Sequence, residues 1–507
     1  MANNKRIVKN AFFLYIRMFI TMGISLFTSR VILNTLGETD FGIYNIVGGI
    51  VILFSFLNAA LTTATQRYLS YALGKKDDQI FSTYFSISTT CYIVLSIILF
   101  ILTETIGLWF LNTYLNIPDN RMSAANIVYQ FSILSFIAQI LRIPYHSTVI
   151  AYEKMDFFAV MSIIEAILKL FIVYVLLVIT LDKLTLYSLL MFCVILIITI
   201  VYKAYCNHKY DNTFYKFIYD KVKLREFLSF STWSLFGGIA NIGSQQALNF
   251  MLNIFFGVKV NAAVGIANQV TGAVYSFVTN FQTAFNPQII KNYAMKDYNA
   301  YQRLVFMASK ISFFLLFTIG LPIIVNIKYI LQLWLDNVPN YTAQFVSVIF
   351  IYQLIDAVSM PFLTCIQARG VIRNYQIIIS LLILANIPLA YIVLKLGGDP
   401  YMIWFTKIVV NIVCFSYRCF YVNKNVKINI RDFFKSVLFR VLLIMLICIP
   451  INFLGKQYFP DNFMSILVYA IFSIIFSITV IYLIGLNKLE KQIINERLHL
   501  ILKHDHH

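Results

Sequence analysis

Runs of about twenty apolar residues recur from one end of the chain to the other, broken by short polar segments. Each run is long enough for a helix to cross about 30 Å of hydrocarbon. The pattern predicts fourteen spans, at about 10–34, 42–66, 83–110, 123–146, 158–181, 185–206, 230–256, 262–286, 303–327, 342–367, 375–396, 401–422, 436–454 and 463–485. The sequence therefore reads as an all-α polytopic membrane protein of about 14 transmembrane helices, because only helices or closed barrels satisfy the backbone in lipid. Lys and Arg gather about five to one in the segments on the side of the N-terminus, which the positive-inside bias makes cytoplasmic. An even number of spans places both termini there. Connections on the opposite side are short, the longest being 328–340.

Shifting the chain by 220 residues lays the first span over the seventh and the second over the eighth without a gap. Gly23/Gly243, Gly37/Gly257, Lys76/Lys296 and Asp77/Asp297 are among the coincident pairs. Identity is sparse; equal loop length and the shared glycine between spans carry the comparison. The expected architecture is two six-helix lobes in parallel pseudo-repeat plus two C-terminal helices. It assigns 1–206 to an N-lobe, 207–229 to a cytoplasmic interfacial linker and 230–422 to a C-lobe. The two extra spans occupy 423–485, and 486–507 forms an amphipathic cytoplasmic tail. In the linker, Phe214, Phe217, Ile218, Val222 and Leu224 alternate with lysines, which predicts a helix lying on the headgroups.

Composition agrees with the hydropathy and narrows the chemistry. The chain is 60% hydrophobic and 12% charged, with mean hydropathy +0.77, against about 25% charged in soluble domains. Its net charge of +18 follows from the basic cytoplasmic segments, so nucleic acid need not be invoked. The seven cysteines lie in or at the ends of apolar runs and read as small buried hydrophobes. No phosphate-binding, zinc-protease or nucleophile-elbow motif occurs. No enzyme, cofactor or metal is expected, and the terminal HDHH is assigned no metal role.

The stretch SRVILNTLGETDFGIYNIV, followed by QRYLSYALGKKD, resembles the opening of Wzx-type polysaccharide exporters, the O-antigen repeat-unit flippases of the multidrug/oligosaccharidyl-lipid/polysaccharide exporter superfamily. The first-loop pattern is carried by Arg30, Leu36, Gly37, Glu38, Asp40, Phe41, Gly42, Ile43 and Tyr44, and AFNPQIIKNYAMKD with Pro287 is a second family-like stretch. The resemblance implies a flippase in a bacterial cytoplasmic (inner) membrane. It would move an undecaprenyl-diphosphate-linked oligosaccharide to the outer leaflet by alternating access through a central cavity. Membrane lipids and polysaccharide polymerase machinery are the partners it implies.

Such a substrate needs cations in a hydrated cleft and hydrogen-bonding walls for sugars. Arg17 and Arg30 flank Gly23 in the first span. A charge near mid-membrane costs about 2.5–3.5 kcal/mol on insertion scales, so Arg17 is expected to face water; Arg30, near the outer end, either does the same or snorkels. They point about 140° apart on a straight helix, and a bend at Gly23 would bring both inward. Lys407, in the twelfth span without an acidic neighbour on its helix, is the candidate cation of the second lobe. Arg142, Lys310 and Arg418 lie near cytoplasmic ends and read as snorkelling.

The seventh span carries Asn241, Gln245, Asn249 and Asn253 at every fourth position, and the second adds Asn58 and Thr62. So many amides and hydroxyls on neighbouring helices predict a water-filled wall facing sugars. Intramembrane acids are few. Asp356, beside Pro361, and Glu165, four residues before Lys169, are the candidates for exchange of H⁺ or Na⁺. Glu165 and Lys169 also stand in the favourable order for mutual neutralisation. Two alternatives remain on this reading: a peptidoglycan-precursor (lipid II) flippase, or a multidrug exporter of the same superfamily.

Overall fold

A computed structural model describes residues 9–24, parts of 28–47, and 55–492 apart from 115, 116, 118, 180, 257, 336, 337, 427, 488 and 489. Among the described residues the protein is helical throughout, without a strand. The helices are α1 (9–24), α2 (Ser55–Lys75), α3 (Asp78–Leu102), α4 (Leu108–Tyr114), α5 (Met122–Ala151), α6 (Met155–Val178), α7 (Lys183–Lys209), α8 (Lys221–Phe256) and α9 (Val258–Ala294). They continue with α10 (Tyr298–Val325), α11 (Ile327–Trp334), α12 (Thr342–Arg369), α13 (Arg373–Lys395), α14 (Met402–Asn425), α15 (Ile430–Phe433), α16 (Phe439–Lys456) and α17 (Phe463–Val480). π-helical turns at Thr103–Gly107, Phe434–Leu438 and Ile481–Gly485 join or extend them.

Ten of the described helices are long and apolar enough to cross a membrane. The expected seventh and eighth spans form α8 and α9, which stay outside that set because amides and hydroxyls interrupt their apolar surface; of the expected second span, 55–66 begins α2, and most of 42–54 lies outside the described residues. α8 and α9 run for 36 and 37 residues, about 55 Å each at 1.5 Å per residue, well beyond the hydrocarbon thickness. The linker departs from its expected helix. Residues 214–220 are non-helical, because Tyr210 stacks on Tyr152 at 3.9 Å and Asn212 donates to Tyr152 and Asp78. The chain is drawn onto α3 and the α5–α6 turn before α8 begins.

Helix starts follow side-chain capping. Asp77 accepts from Ile80 N, Asp182 from Thr185 N and Asn462 from Ser465 N, each satisfying a first-turn donor. Two helix ends that the 220-residue shift superposes close in the same way. After α2, Lys76 N bonds Leu73 O and Asp77 N bonds Ala72 O, with Lys76 at φ 55°. After α9, 220 residues on, Lys296 N bonds Tyr293 O and Asp297 N bonds Asn292 O, with Lys296 at φ 60°. Both are Schellman closures with lysine in the left-handed position usually held by glycine.

Two compact units emerge from the packing: residues 1–239, 283–297 and 367–377 form one, and 240–282, 298–366 and 378–507 the other. The first unit thus includes two short segments from the second half of the chain. In the second, α10, α12, α14 and α16 line an open apolar groove of about 1120 Å³. The tail returns to the same unit, where Glu490 receives the ammonium of Lys310 at 2.6 Å. Lys310 is therefore not snorkelling: it is 1% exposed, a burial possible only because a carboxylate comes to meet it.

Candidate functional site

In the second unit, α8, α12, α13 and α14 line a polar pocket of about 440 Å³. Lys407, Val410, Asn411, Cys414 and Arg418 reach it from α14, at spacings that put all five on one helical face. Asn241 and Gln245 come from α8, Tyr352 and Asp356 from α12, and Asn386 from α13. Lys407 Nζ donates to Gln245 Oε1 at 2.5 Å and lies over the rings of Trp404 and Tyr352, at 4.1 and 4.8 Å. Asp356 accepts from the Tyr275 hydroxyl at 2.7 Å and faces Arg418 at 3.9 Å. Arg418 also donates to Ser359 Oγ at 2.7 Å. The carboxylate is thus engaged by one cation and a phenol, while the charge of Lys407 rests on neutral and aromatic groups.

The first unit holds a second charged cluster. Glu165, on α6, joins Lys169 at 2.7 Å and Arg142, on α5, at 3.2 Å. Arg17 lies 4.6 Å above the Phe158 ring. His146 packs edge-on against Phe158 at 5.2 Å, and Tyr202 lies beneath Arg142 at 5.7 Å. The cluster carries three cations against one carboxylate, and Arg142 is part of it rather than a snorkelling end residue.

Also within the first unit, two turns grip two helices reciprocally. Glu153 closes the α5–α6 turn at φ 60°, fully buried, and accepts from Lys291 Nζ at 2.5 Å and from Gln288 on α9. Arg67 of α2 donates to the carbonyls of Gln367 and Ala368, at 3.1 and 3.2 Å, at the start of the α12–α13 turn. Gly370 seats that guanidinium: its φ is 87°, and a Cβ there would stand 2.2 Å from an Arg67 nitrogen. The expected 220-residue shift lays α2 over α9 and α5 over α12. Each turn, one after α5 and one after α12, thus holds a helix from the other half of the chain.

The sequence candidates fall as follows. Lys407, Gln245, Asn241 and Asp356 meet in one pocket. Asn249 bonds Gln246 at 3.0 Å instead. Arg17 and Glu165 belong to the cluster of the first unit, whose α2 also carries Asn58 and Thr62. Asn58 Oδ1 is buried without a partner. Arg30 lies outside the described residues. Asp40, from the first-loop pattern, pairs with Arg121, which also holds Asp182 at 2.5 Å. Sequence reasoning missed Arg418, Asn386, Asn411 and Tyr352 as lining groups. For Arg418 and Asn411 the signal was the 407–411–414–418 spacing on α14; Asn386 and Tyr352, on α13 and α12, had none.

Long apolar helices with a polar pocket lined by α8, α12, α13 and α14 define a multi-pass helical membrane protein with a binding-sized cavity. The fold recurs in solved structures. A crystal structure of MATE in complex with MaD3S matches with TM-score 0.72 at 12% identity, over 83% of this chain and 96% of that one. A MOP superfamily transporter from Pyrococcus furiosus, described as having a binding pocket of reverse polarity, matches at 0.68 and 12%, over 83% and 96%. The MATE transporter ClbM in complex with Rb⁺ matches at 0.70 and 14%, over 85% and 96%. No curated protein sequence matches the chain. The MatE family profile matches residues 14–175 and 234–392, more than half of the length. The chain belongs to the MatE family and is a transporter, not an enzyme.

Proposed function

We propose that this transporter is a flippase for an undecaprenyl-diphosphate-linked oligosaccharide, carrying it from the cytoplasmic to the outer leaflet by alternating access. The observation that carries the reading is the charge of the two polar sites. The pocket sets two cations against one acid, and the cluster around Arg17 sets three against one. A cargo with about two negative charges and a hydroxyl-rich glycan complements that lining; an organic cation does not. Buried cations of this kind line substrate paths when they face a hydrated cleft.

Alternating access needs a latch at the side where cargo loads, and the reciprocal clasp is suited to that part. Its components lie in segments that the Lys/Arg bias assigns to the cytoplasm: the ends of α2 and α9 and the two turns that hold them. Loading would require Glu153 to release Gln288 and Lys291, and Arg67 to release its carbonyls. Asp356 and Glu165 remain the candidates for coupling to H⁺ or Na⁺, and each would first have to exchange a cationic partner.

Native mass spectrometry of the purified protein tests the reading. The ligands are a polyprenyl-diphosphate oligosaccharide, the same glycan on an uncharged lipid, and an organic cation. Preference for the diphosphate, reduced at least tenfold in Arg17→Ala, is the expected result. Preference for the organic cation would replace this reading with that of a multidrug exporter; a multidrug resistance MATE family transporter is among the matching folds.

A further inference from the structure

Two features of the pocket in the second unit are not accounted for by its own hydrogen bonds. The first is charge. Arg418 is held by Asp356 and Ser359, and Asp356 is completed by Tyr275. Lys407, about three turns earlier on the same face of α14, has Gln245 as its hydrogen-bond acceptor and two aromatic rings beneath its ammonium. Among the described residues no carboxylate lies within ion-pair distance of it. The pocket is left with one excess positive charge.

The second feature is an unused donor. Asn386 is 2% exposed and lines the same pocket. Its Oδ1 accepts from the Thr406 hydroxyl at 2.9 Å, while its Nδ2 has no acceptor. A buried amide N–H normally has a partner, so an acceptor is missing from this wall. A cation and an unpaired N–H lining one cavity are the complement of a single anionic group with two acceptor oxygens.

The remaining lining says what the anion is attached to. Asn241 and Asn411 add amides, Gln245 an amide already turned toward Lys407, and the Tyr352 ring a flat apolar face. Amides read hydroxyls, and an aromatic face covers the C–H side of a pyranose ring. The volume of about 440 Å³ lies in the range of small-ligand sites. We propose that this pocket is a subsite for a carboxylate-bearing sugar of the uronate class, the carboxylate taking Lys407 and Asn386 Nδ2 while the ring lies on Tyr352. One excess charge matches one carboxylate; a diphosphate would call for more. The proposal rests on the flippase reading and specifies it: the transported repeat unit contains an acidic sugar.

The test uses the full-length protein in detergent and saturation-transfer NMR titrations with sodium D-glucuronate, D-glucose and sodium acetate. Glucuronate is expected to bind at least tenfold more tightly than glucose or acetate. Lys407→Met should abolish that preference, and Lys407→Arg should keep most of it. Equal binding of glucose overturns the carboxylate, equal binding of acetate overturns the sugar, and a preference that survives Lys407→Met overturns the site. Should Lys407→Met fail to fold, Asn386→Ala removes the second contact without touching the charge. A threefold or greater loss for glucuronate with glucose unchanged is expected, and no loss overturns the proposal. A protein that prefers the diphosphate-linked glycan in mass spectrometry yet ignores glucuronate would sink this subsite and leave the flippase standing. Indifference to both would sink both.

Discussion

A Cβ placed on Gly74 would lie 2.7 Å from the Cβ of Ala294, the residue that follows it by 220 positions. Equivalent points of the repeat therefore touch, where the last turns of α2 and α9 cross. The same imagined Cβ meets the Lys291 carbonyl at 2.7 Å. Because that neighbour is backbone, it cannot rotate away. Gly74→Val should destabilise the protein by about 1–3 kcal/mol, the usual cost of overpacking. The check is thermal unfolding in detergent, and an unchanged midpoint would refute the close crossing.

Gly370 tests the other arm of the clasp. Gly370→Ala places a methyl group against the Arg67 guanidinium at a left-handed φ, where an L-residue is strained by roughly 1–2 kcal/mol before any contact is counted. In an Arg67→Ala background the contact part should vanish and the φ part remain. The alanine should then lower the unfolding midpoint less in the variant than in the wild type.

Glu153 is the buried end of an ion pair. Glu153→Ala leaves the Lys291 ammonium facing a buried gap, and removing one partner of such a pair costs about 3–5 kcal/mol. Lys291→Met added to Glu153→Ala should recover a large part of that loss. If the two substitutions proved simply additive, the pair would not be coupled.

Asp182 gives a pH dependence outside the spans. Burial pushes its carboxyl up, but hydrogen bonds from the Thr185 hydroxyl and N–H and the Arg121 ion pair outweigh it and hold the group below its ordinary value. A depressed carboxylate adds stability above its unfolded value of about 3.9 and loses it as pH falls through the folded one. The wild type should therefore outlast Asp182→Asn at neutral pH, and the difference should shrink only as pH falls below about 3.9. The side chain is 38% exposed, so solvent screening keeps the difference well under about 1 kcal/mol. A gap that widens toward acid would contradict the assignment.

Hydropathy alone located the long helices, because lipid leaves the backbone no other option. It also pointed to Lys407, whose charge had no partner on its own helix. What it could not supply was partnership across distance. Lys310 and Arg418 read as snorkelling because Glu490 and Asp356 stand on other helices. Arg67 read only as part of a motif, since its acceptors are backbone carbonyls 300 residues away. The left-handed turns were hidden for a different reason: at Lys76, Glu153 and Lys296 no glycine announces them. The 220-residue shift rested on loop length, and the two helix ends it superposes, after α2 and α9, close with the same hydrogen bonds.

The pairing of Lys310 with Glu490 has a consequence for how the protein is made. Lys310 precedes its carboxylate by 180 residues, so at about 5–20 residues per second its ammonium waits roughly 10–40 s on the ribosome for a counter-charge. During that time α10 holds a lysine that hydrocarbon rejects. The second unit therefore cannot finish closing around it until nearly the whole chain has emerged, and synthesis stopped short of Glu490 yields a membrane protein with an uncompensated buried charge, a product for quality control rather than a shortened transporter.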